Sequence, residues 1–272
     1  MSDPQSMQTP SDSTGVPAVS AHEAVVRGAL YRLLAQGFRE PDGGWLETFI
    51  DAGRDLVTAR FSEVLCDPKD SGLVTAIEQL LDLFPESDSI PEIRSLHQRL
   101  FGHTAAGACP LYETEYGAWG AFQQPHVLAD LAGTYRAFGL VLSNAAHERA
   151  DHLSLECEFL YVLAHKESWA YHHDGPAEVA ICVDARRLFI ANHLARWAPS
   201  VGSRLKNQAP GSLYACLGEI LVALTEHECR RLDIQIGGEL SLRSTSSAAE
   251  DLCAGCADPP SRIEAPQNGP DA

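Results

Sequence analysis

The amino-acid sequence predicts an all-α protein in which a single helical domain is flanked by disordered tails. Apolar residues recur at helical spacing in every periodic segment. No segment alternates between apolar and polar residues as a half-buried strand does, and no internal repeat has the period typical of solenoids. The helical domain is predicted over residues 20–236. Disordered tails are predicted at 1–19 and 237–272, because both have a polar, low-complexity composition.

The first predicted helix begins at a capping box, in which Ser20 caps the helix and Glu23 reaches back to it. The apolar residues Val26, Leu30 and Leu33 then follow at helical spacing. The stretch REPDGG ends this helix, because Pro and Gly interrupt a helical backbone. Two further helical runs are predicted at about residues 44–60 and 70–84.

A second capping box is predicted at Ser89 and Glu92, at the start of a helix that ends near Phe101. Pro91 is tolerated there because it lies in the first helical turn. A loop follows at 102–124. The remaining predicted helices run from Pro125 to about Ala146, from His147 to His173 with Gly175 as the break, from Pro176 to about Trp197, and from about Gly211 to Leu232.

The charge balance disfavours two classes of partner. The chain has 20 Lys and Arg residues against 37 Asp and Glu residues, which gives a formal net charge of −17. Such a charge repels phosphate backbones and anionic lipids, so we expect no binding to nucleic acids or to membrane surfaces. No stable membrane insertion is expected either, because no apolar run is long enough to span a bilayer. The negative charge suits a basic partner such as an arginine-rich peptide, although acidity can also serve solubility alone.

The sequence predicts a cytoplasmic location. The first twenty residues lack the basic start and the apolar region of a secretory signal. No run approaches the roughly 18–20 apolar residues that span a bilayer. The 8 cysteines are mostly isolated within apolar helical patterns, so we interpret them as small buried hydrophobic residues rather than disulfide partners.

The stretch CPLYETEYG, residues 109–117, fits neither a strand nor an amphipathic helix. Tyrosine suits a recognition surface, because one end of its ring can be buried while the hydroxyl stays wet. Tyr112, Glu113, Glu115 and Tyr116 are therefore candidate binding residues. The alternative is a rigid loop whose tyrosines fill gaps between helices.

The stretch ADHLSLECEFLYVL carries two polar residues on a helix face that is otherwise apolar. At about 100° per residue, His152, Glu156, Phe159 and Leu163 fall on one stripe. Asp151 is the predicted N-cap, where its carboxylate would accept backbone hydrogen bonds. His152 and Glu156 have three interpretations: part of a metal site that would need further ligands, a structural pair one turn apart, or a polar patch that recognises a partner.

Cys253 and Cys256 form a Cys-x-x-Cys pair in the predicted C-terminal tail. Such a pair can hold half of a metal site or act in redox chemistry, but no second pair completes four ligands. The sequence also lacks GxSxG, P-loop and GxGxxG motifs. We therefore expect no catalytic activity, no metal and no other cofactor. The alternative function is a metal- or redox-binding helical protein that uses His152 with Glu156, or the two cysteines.

Three segments in order resemble the TorD/DmsD/NarJ family of cytoplasmic maturation chaperones for molybdenum oxidoreductases: LHQRLFG (96–102), CPLYETEYG (109–117) and HERADHLSLECEFLYVL (147–163). The resemblance covers roughly residues 21–235. ADHLSLECEF is its most specific element and is similar to the family's Asp-His-Leu-x-x-Glu-x-x-Phe pattern. The YETEYG form looks closest to the branch that serves type II members of the dimethyl sulfoxide (DMSO) reductase family. The chain departs from the family pattern at Cys109-Pro110 and in its long tail.

The resemblance implies a TorD-like helical chaperone domain, here residues 20–236, without catalytic activity. It implies binding to the apo catalytic subunit of a molybdenum oxidoreductase, or to the twin-arginine leader of that subunit, until cofactor insertion is complete and export can begin. Two arginines beside an apolar segment require acidic groups next to apolar surface. Guanine-nucleotide binding, linked to some family members, has no supporting element in the sequence. The predicted client- or leader-binding residues are Leu100, Phe101, Tyr112, Glu113, Glu115, Tyr116, Asp151, His152 and Glu156.

Overall fold

The computed structural model describes residues 20–102, 107–117, 123–143 and 148–243. Within these ranges the chain forms ten α-helices and no β-strand, so the predicted all-α fold is confirmed. The helices are α1 (Ala21–Gly37), α2 (Trp45–Thr58), α3 (Phe61–Val64), α4 (Ser71–Asp82), α5 (Ile90–Phe101), α6 (Gln123–Ala137), α7 (Leu153–His173), α8 (Pro176–Asn192), α9 (Leu194–Gln208) and α10 (Leu213–Leu232).

One hydrophobic core connects these helices, and glycines lie at two of the helix–helix contacts. α1 lies against α7 at Gly28, where a Cβ would come within 3.3 Å of the Cβ of Ala164. α9 lies against α10 at Gly202, where a Cβ would come within 2.3 Å of Val222. The absence of a side chain at both positions lets the helices approach closely. Within the described ranges, no helix is both long and apolar enough to cross a lipid bilayer.

The two predicted capping boxes have different outcomes. Ser20 Oγ accepts from the backbone N–H of Glu23 at 3.2 Å, and the Glu23 carboxylate accepts from the backbone of Ser20 at 3.3 Å, which confirms the first box. The second box is wrong, because Ser89 Oγ instead donates to the carbonyl of Glu86 at 2.7 Å. A 3₁₀ turn at Ser87–Ser89 runs directly into α5, so Ser89 already has helical backbone angles.

The helices on either side of the α6–α7 connection are shorter than the sequence predicts. α6 ends at Ala137 rather than near residue 146. Gly139 follows with φ of +80°, a left-handed conformation that glycine adopts easily and that turns the chain out of the helix. α7 begins at Leu153, not at residue 147.

The single helix predicted from residue 176 to 197 is two helices in the structure. α8 ends at Asn192 and α9 begins at Leu194, while His193 between them has φ −123° and ψ −90°. α9 then continues to Gln208 despite Pro199 within it. The break matters for the site, because it turns the His193 side chain toward the segment that contains Glu113.

The chain remains in contact with the helices after α10 ends. The backbone N–H of Gly237 donates to the carbonyl of Ala195 at 2.8 Å, and that of Leu240 donates to Ser200 Oγ at 2.7 Å. Residues 237–243, which the sequence places in the C-terminal tail, therefore lie against α9. The remainder of the two predicted tails, including Cys253 and Cys256, lies outside the described residues.

Candidate functional site

The segment 109–117 crosses the start of α7 and is fixed there by backbone hydrogen bonds. The N–H of Glu113 donates to the carbonyl of Asp151 at 3.0 Å, and the N–H of Leu153 donates to the carbonyl of Leu111 at 2.8 Å. Tyr112 and His152 form an isolated antiparallel bridge between these contacts. The two motifs that the sequence singles out are thus brought together, with Glu113–Glu115 wound into one 3₁₀ turn.

Asp151 is fully buried and bound by its own chain. Its Oδ2 accepts hydrogen bonds from the backbone N–H of Thr114 at 3.1 Å and from Thr114 Oγ1 at 2.7 Å. Arg149 donates to both carboxylate oxygens, at 3.0 and 2.9 Å. Burial alone would lower the pKa of Arg149, but the Asp151 and Glu115 carboxylates raise it overall. Asp151 therefore holds the 109–117 segment against α7 through a charged and internally satisfied contact.

His152, and not the predicted Asp151, is the N-cap of α7. Its Nδ1 accepts from the backbone N–H of Ser154 at 3.2 Å and lies 2.7 Å from Ser154 Oγ. Asp151 cannot fill this role because its carboxylate points back toward Thr114. Burial lowers the pKa of His152, although the nearby Glu148 carboxylate acts in the opposite direction. The neutral ring that results is the form whose nitrogen can accept the capping hydrogen bond.

Two glutamates from the two motifs meet in the interior. Glu113 Oε2 lies 2.9 Å from Nδ1 of His193, and Nε2 of the same ring lies 3.2 Å from Asp130. Glu156 Oε2 accepts from Trp197 Nε1 at 3.3 Å. The second oxygen of each glutamate has no hydrogen-bond partner within the described residues. Burial raises the pKa of Glu156 well above its ordinary value and the charge of Glu113 raises it further, so the neutral form of Glu156 is favoured.

Glu115 points the opposite way from Glu113 and lies at the surface. Its carboxylate is 3.4 Å from Arg149 and 3.4 Å from Arg243. The Arg149 guanidinium also lies 4.4 Å from the centre of the Tyr112 ring, and the Tyr112 hydroxyl donates to Glu148 at 2.6 Å. We call the half-buried side chains of Tyr112, Glu115, Glu148 and Arg149 the acidic edge.

The other predicted binding residues fill the core. Leu100 and Phe101 are buried, and the Phe101 ring meets Tyr214 edge to face at 5.0 Å. Tyr116 is fully buried, donates its hydroxyl to the carbonyl of Pro110 at 2.8 Å and packs on Trp197. These side chains support the segment from beneath. Of the nine predicted residues, Tyr112 and Glu115 are the two with half-buried rather than buried side chains.

Sequence reasoning missed the partners of these residues. Arg149 lies two positions before Asp151 in the motif at residues 147–163, so the short spacing could have predicted that the two side chains pair. His193, Trp197 and Arg243 lie far along the chain and gave no such signal. Within the described part of the chain, no three His, Cys, Asp or Glu side chains cluster as metal ligands.

Comparisons with known proteins identify the family. A family model described as "Nitrate reductase delta subunit" matches residues 66–202. The chain is also similar to the perchlorate reductase assembly chaperone protein of Dechloromonas aromatica (strain RCB), with 25% identity over 197 residues, which cover 72% of this chain and 84% of that protein. The family and this relative are assembly chaperones rather than catalysts, which supports the prediction that the chain is not an enzyme. The chain belongs to the nitrate reductase delta subunit family, the TorD/NarJ-type assembly chaperones that its motifs resemble.

Proposed function

We propose that this protein is a cytoplasmic, system-specific chaperone for the catalytic subunit of a molybdenum oxidoreductase of the DMSO reductase family. It binds the apo subunit, its twin-arginine leader, or both, and assists cofactor insertion and assembly before export. Family membership is the observation that carries this proposal. The similarity to a perchlorate reductase assembly chaperone supports an oxidoreductase as the client.

We propose the acidic edge as the place where the client's arginines bind. Glu115 and Glu148 are the carboxylates of the acidic edge, with 12% and 33% of their side chains exposed. A guanidinium can contact a carboxylate through two parallel hydrogen bonds, which makes the contact directional. Glu115 already lies near two arginines of its own chain at distances longer than those of strong charge-assisted bonds. An incoming arginine can therefore replace one of them without leaving a buried charge unpaired.

An apolar groove next to this edge suits the apolar part of a leader. A cavity of about 180 Å³ is lined by Leu140, Val141, Leu155 and Phe159, and the Val141 side chain is 80% exposed. Tyr135 lines this cavity and donates its hydroxyl at 2.9 Å to the carbonyl of Ala150, the residue that follows Arg149 of the acidic edge. Acidic and apolar surfaces therefore adjoin, as an arginine pair followed by an apolar stretch requires.

A capture experiment tests the proposed function. The tagged chain is purified from native cells, and mass spectrometry identifies the bound proteins. We expect the catalytic subunit of a molybdenum oxidoreductase among them, released when its cofactor has been inserted. Capture without any such subunit, in cells that express one, would contradict the chaperone proposal.

Paired variants test the proposed site. Glu115→Gln with Glu148→Gln removes these two charges and should reduce captured subunit several-fold. The fold should survive, because Arg149 and Arg243 are about one-third exposed and stay solvated when Glu115 loses its charge. Glu47→Gln with Glu63→Gln, on the exposed surface of α2 and α3, is the matched control. Equal capture by both double variants would reject the acidic edge and leave the chaperone function intact.

A further inference from the structure

Residues 237–243, which we call the strap, lie as an extended segment across α9 and along the backbone of residues 115–117. The N–H of Arg243 donates to the carbonyl of Glu115 at 2.8 Å, and the N–H of Gly117 donates to the carbonyl of Ser241 at 2.8 Å. Leu242 and Tyr116 form the antiparallel bridge between these two bonds. The strap thus pairs with residues 115–117 through an isolated β-bridge, as Tyr112 pairs with His152 within the described residues.

Pro199 and Gly237, which lie far apart in the sequence, allow the strap to bind against α9. Pro199 has no backbone N–H, so the carbonyl of Ala195, four residues earlier, has no helical donor. The N–H of Gly237 donates to that carbonyl at 2.8 Å. A Cβ at Gly237 would lie 2.7 Å from the carbonyl oxygen of Arg196, so only glycine allows this approach. The start of the strap therefore makes a specific backbone contact with α9.

The end of the strap brings an arginine to the acidic edge. The Arg243 guanidinium lies 3.4 Å from the Glu115 carboxylate and 3.3 Å from the side-chain oxygen of Gln124. Its position is defined by the backbone pairing rather than by a strong ion pair, because charge-assisted bonds are ordinarily about 2.7–2.9 Å long. Arg243 of the strap therefore lies at Glu115, the carboxylate that we propose binds an arginine of the client.

We infer that the backbone edge at residues 115–117 is a β-addition site for an extended, arginine-bearing peptide, and that the strap occupies this site in cis. A peptide that adds to an exposed edge gains affinity from main-chain hydrogen bonds and specificity from alternate side chains. In the strap, Leu240 and Leu242 are half-buried against the core and Arg243 reaches the acidic edge. A client segment with apolar residues and an arginine in extended conformation fits the same pattern. The identification of the client leader as the competing peptide rests on the proposed function.

The strap is suited to displacement. Its backbone hydrogen bonds contribute only about 0.5–1.5 kcal/mol each after the competing bonds to water are counted. Arg243 leaves behind a Glu115 that Arg149 still contacts, so opening the strap exposes no unpaired buried charge. If the strap is closed for about nine-tenths of the time, it lowers the apparent affinity of a competing peptide about tenfold.

A matched pair of glycine variants of the full chain tests the inference. Gly237→Ala places a methyl group against the backbone of α9 and should open the strap, whereas a Cβ at the neighbouring Gly238 meets no atom within 4 Å. Arg243→Pro opens the strap from its other end by removing the N–H that donates to Glu115. The probe is a fluorescent peptide with the strap sequence GGELSLR, and its binding is measured by anisotropy.

The peptide should bind the Gly237→Ala and Arg243→Pro variants about tenfold more tightly than wild type or Gly238→Ala. Equal binding to all four proteins, with melting temperatures that show them folded, would overturn the inference. A synthetic peptide with two consecutive arginines before an apolar stretch is then added as competitor. Displacement supports a shared site for leader and strap. Strap-peptide binding without displacement upholds the β-addition site but contradicts leader binding there, so the two proposals fail separately.

Discussion

The substitution Asp151→Asn distinguishes a structural carboxylate from one that contacts a client. Asparagine has nearly the same shape and can still accept a hydrogen bond from Thr114, but it cannot pair with the charge of Arg149. If Asp151 both caps α7 and contacts the client, which is one of the two alternatives that the sequence leaves open, Asn would preserve stability and would weaken only the binding of a client. The structure leads to the opposite expectation, because His152 is the cap and Asp151 is paired within the chain.

The expected loss follows from the contacts. Removing one partner of a buried ion pair costs about 3–5 kcal/mol when the other charge stays buried. The Arg149 side chain is 34% exposed and keeps its contact with Glu115, so its charge remains partly solvated. We therefore expect Asp151→Asn to lower the free energy of unfolding by roughly 2–3 kcal/mol, which is a fall of about 5–10 °C in melting temperature for a domain of this size.

Thermal and chemical unfolding of the purified variants measure this effect, with client capture as the second readout. Asp184→Asn, at an exposed position on α8, is the control and should be neutral. Capture by Asp151→Asn should decline only as far as the folded fraction does. A variant with the melting temperature of wild type and weakened capture would refute the reasoning, because it would mean that the carboxylate serves the client and not the fold.

Three further predictions concern titration and the tail. Burial lowers the pKa of His97 from 6.5 to about 4. Between these two pH values the folded state binds fewer protons than the unfolded state, so roughly 3 kcal/mol of the free energy of unfolding is lost as pH falls from 6.5 to about 4. His97→Gln should reduce this loss when chemical unfolding is measured over a series of pH values. Glu156 has a raised pKa, so the folded state holds a proton that the unfolded state loses. Stability therefore falls as pH rises above the ordinary pKa of a glutamate. Glu156→Gln should therefore be more stable than wild type at pH 8, and a less stable variant would contradict a neutral Glu156. Truncation after Arg243 should leave the melting temperature unchanged. Truncation after Ile236 removes the strap contacts and should lower the free energy of unfolding by about 1–3 kcal/mol. Equal melting temperatures of the two truncated proteins would argue against the packing of the strap.

The role of the 109–117 segment could be predicted only in part from the sequence. The sequence singles out its tyrosines and glutamates but leaves open the choice between a rigid gap-filling loop and a recognition surface. The structure divides the segment into side chains that face the core and side chains that lie nearer the solvent. Glu113 and Tyr116 face inward and hold the segment in place, while Tyr112 and Glu115 remain half-buried at its surface. Assignment of the latter pair to the client stays a prediction.

Helical content, the Ser20 capping box and the order of the three motifs were determined by the sequence itself. Each depends on residues within one or two helical turns, where the period of the backbone makes contacts predictable from spacing. Two of the boundaries that failed lie at Ser89 and His193, where a preceding 3₁₀ turn and a non-helical residue between two helices override the local signal.

Tertiary structure alone decided which groups meet. His193 reaches Glu113 across 80 residues, and Arg243 reaches Glu115 across 128. Pro199 lies inside α9, where it leaves the carbonyl of Ala195 available for Gly237. Spacing along the chain cannot specify such pairs, because a buried charge or an unpaired carbonyl is satisfied by whatever donor the folded backbone brings near it. The sequence thus determined the helices and the family, and the folded chain decided which acidic groups are internal and which lie nearer the solvent.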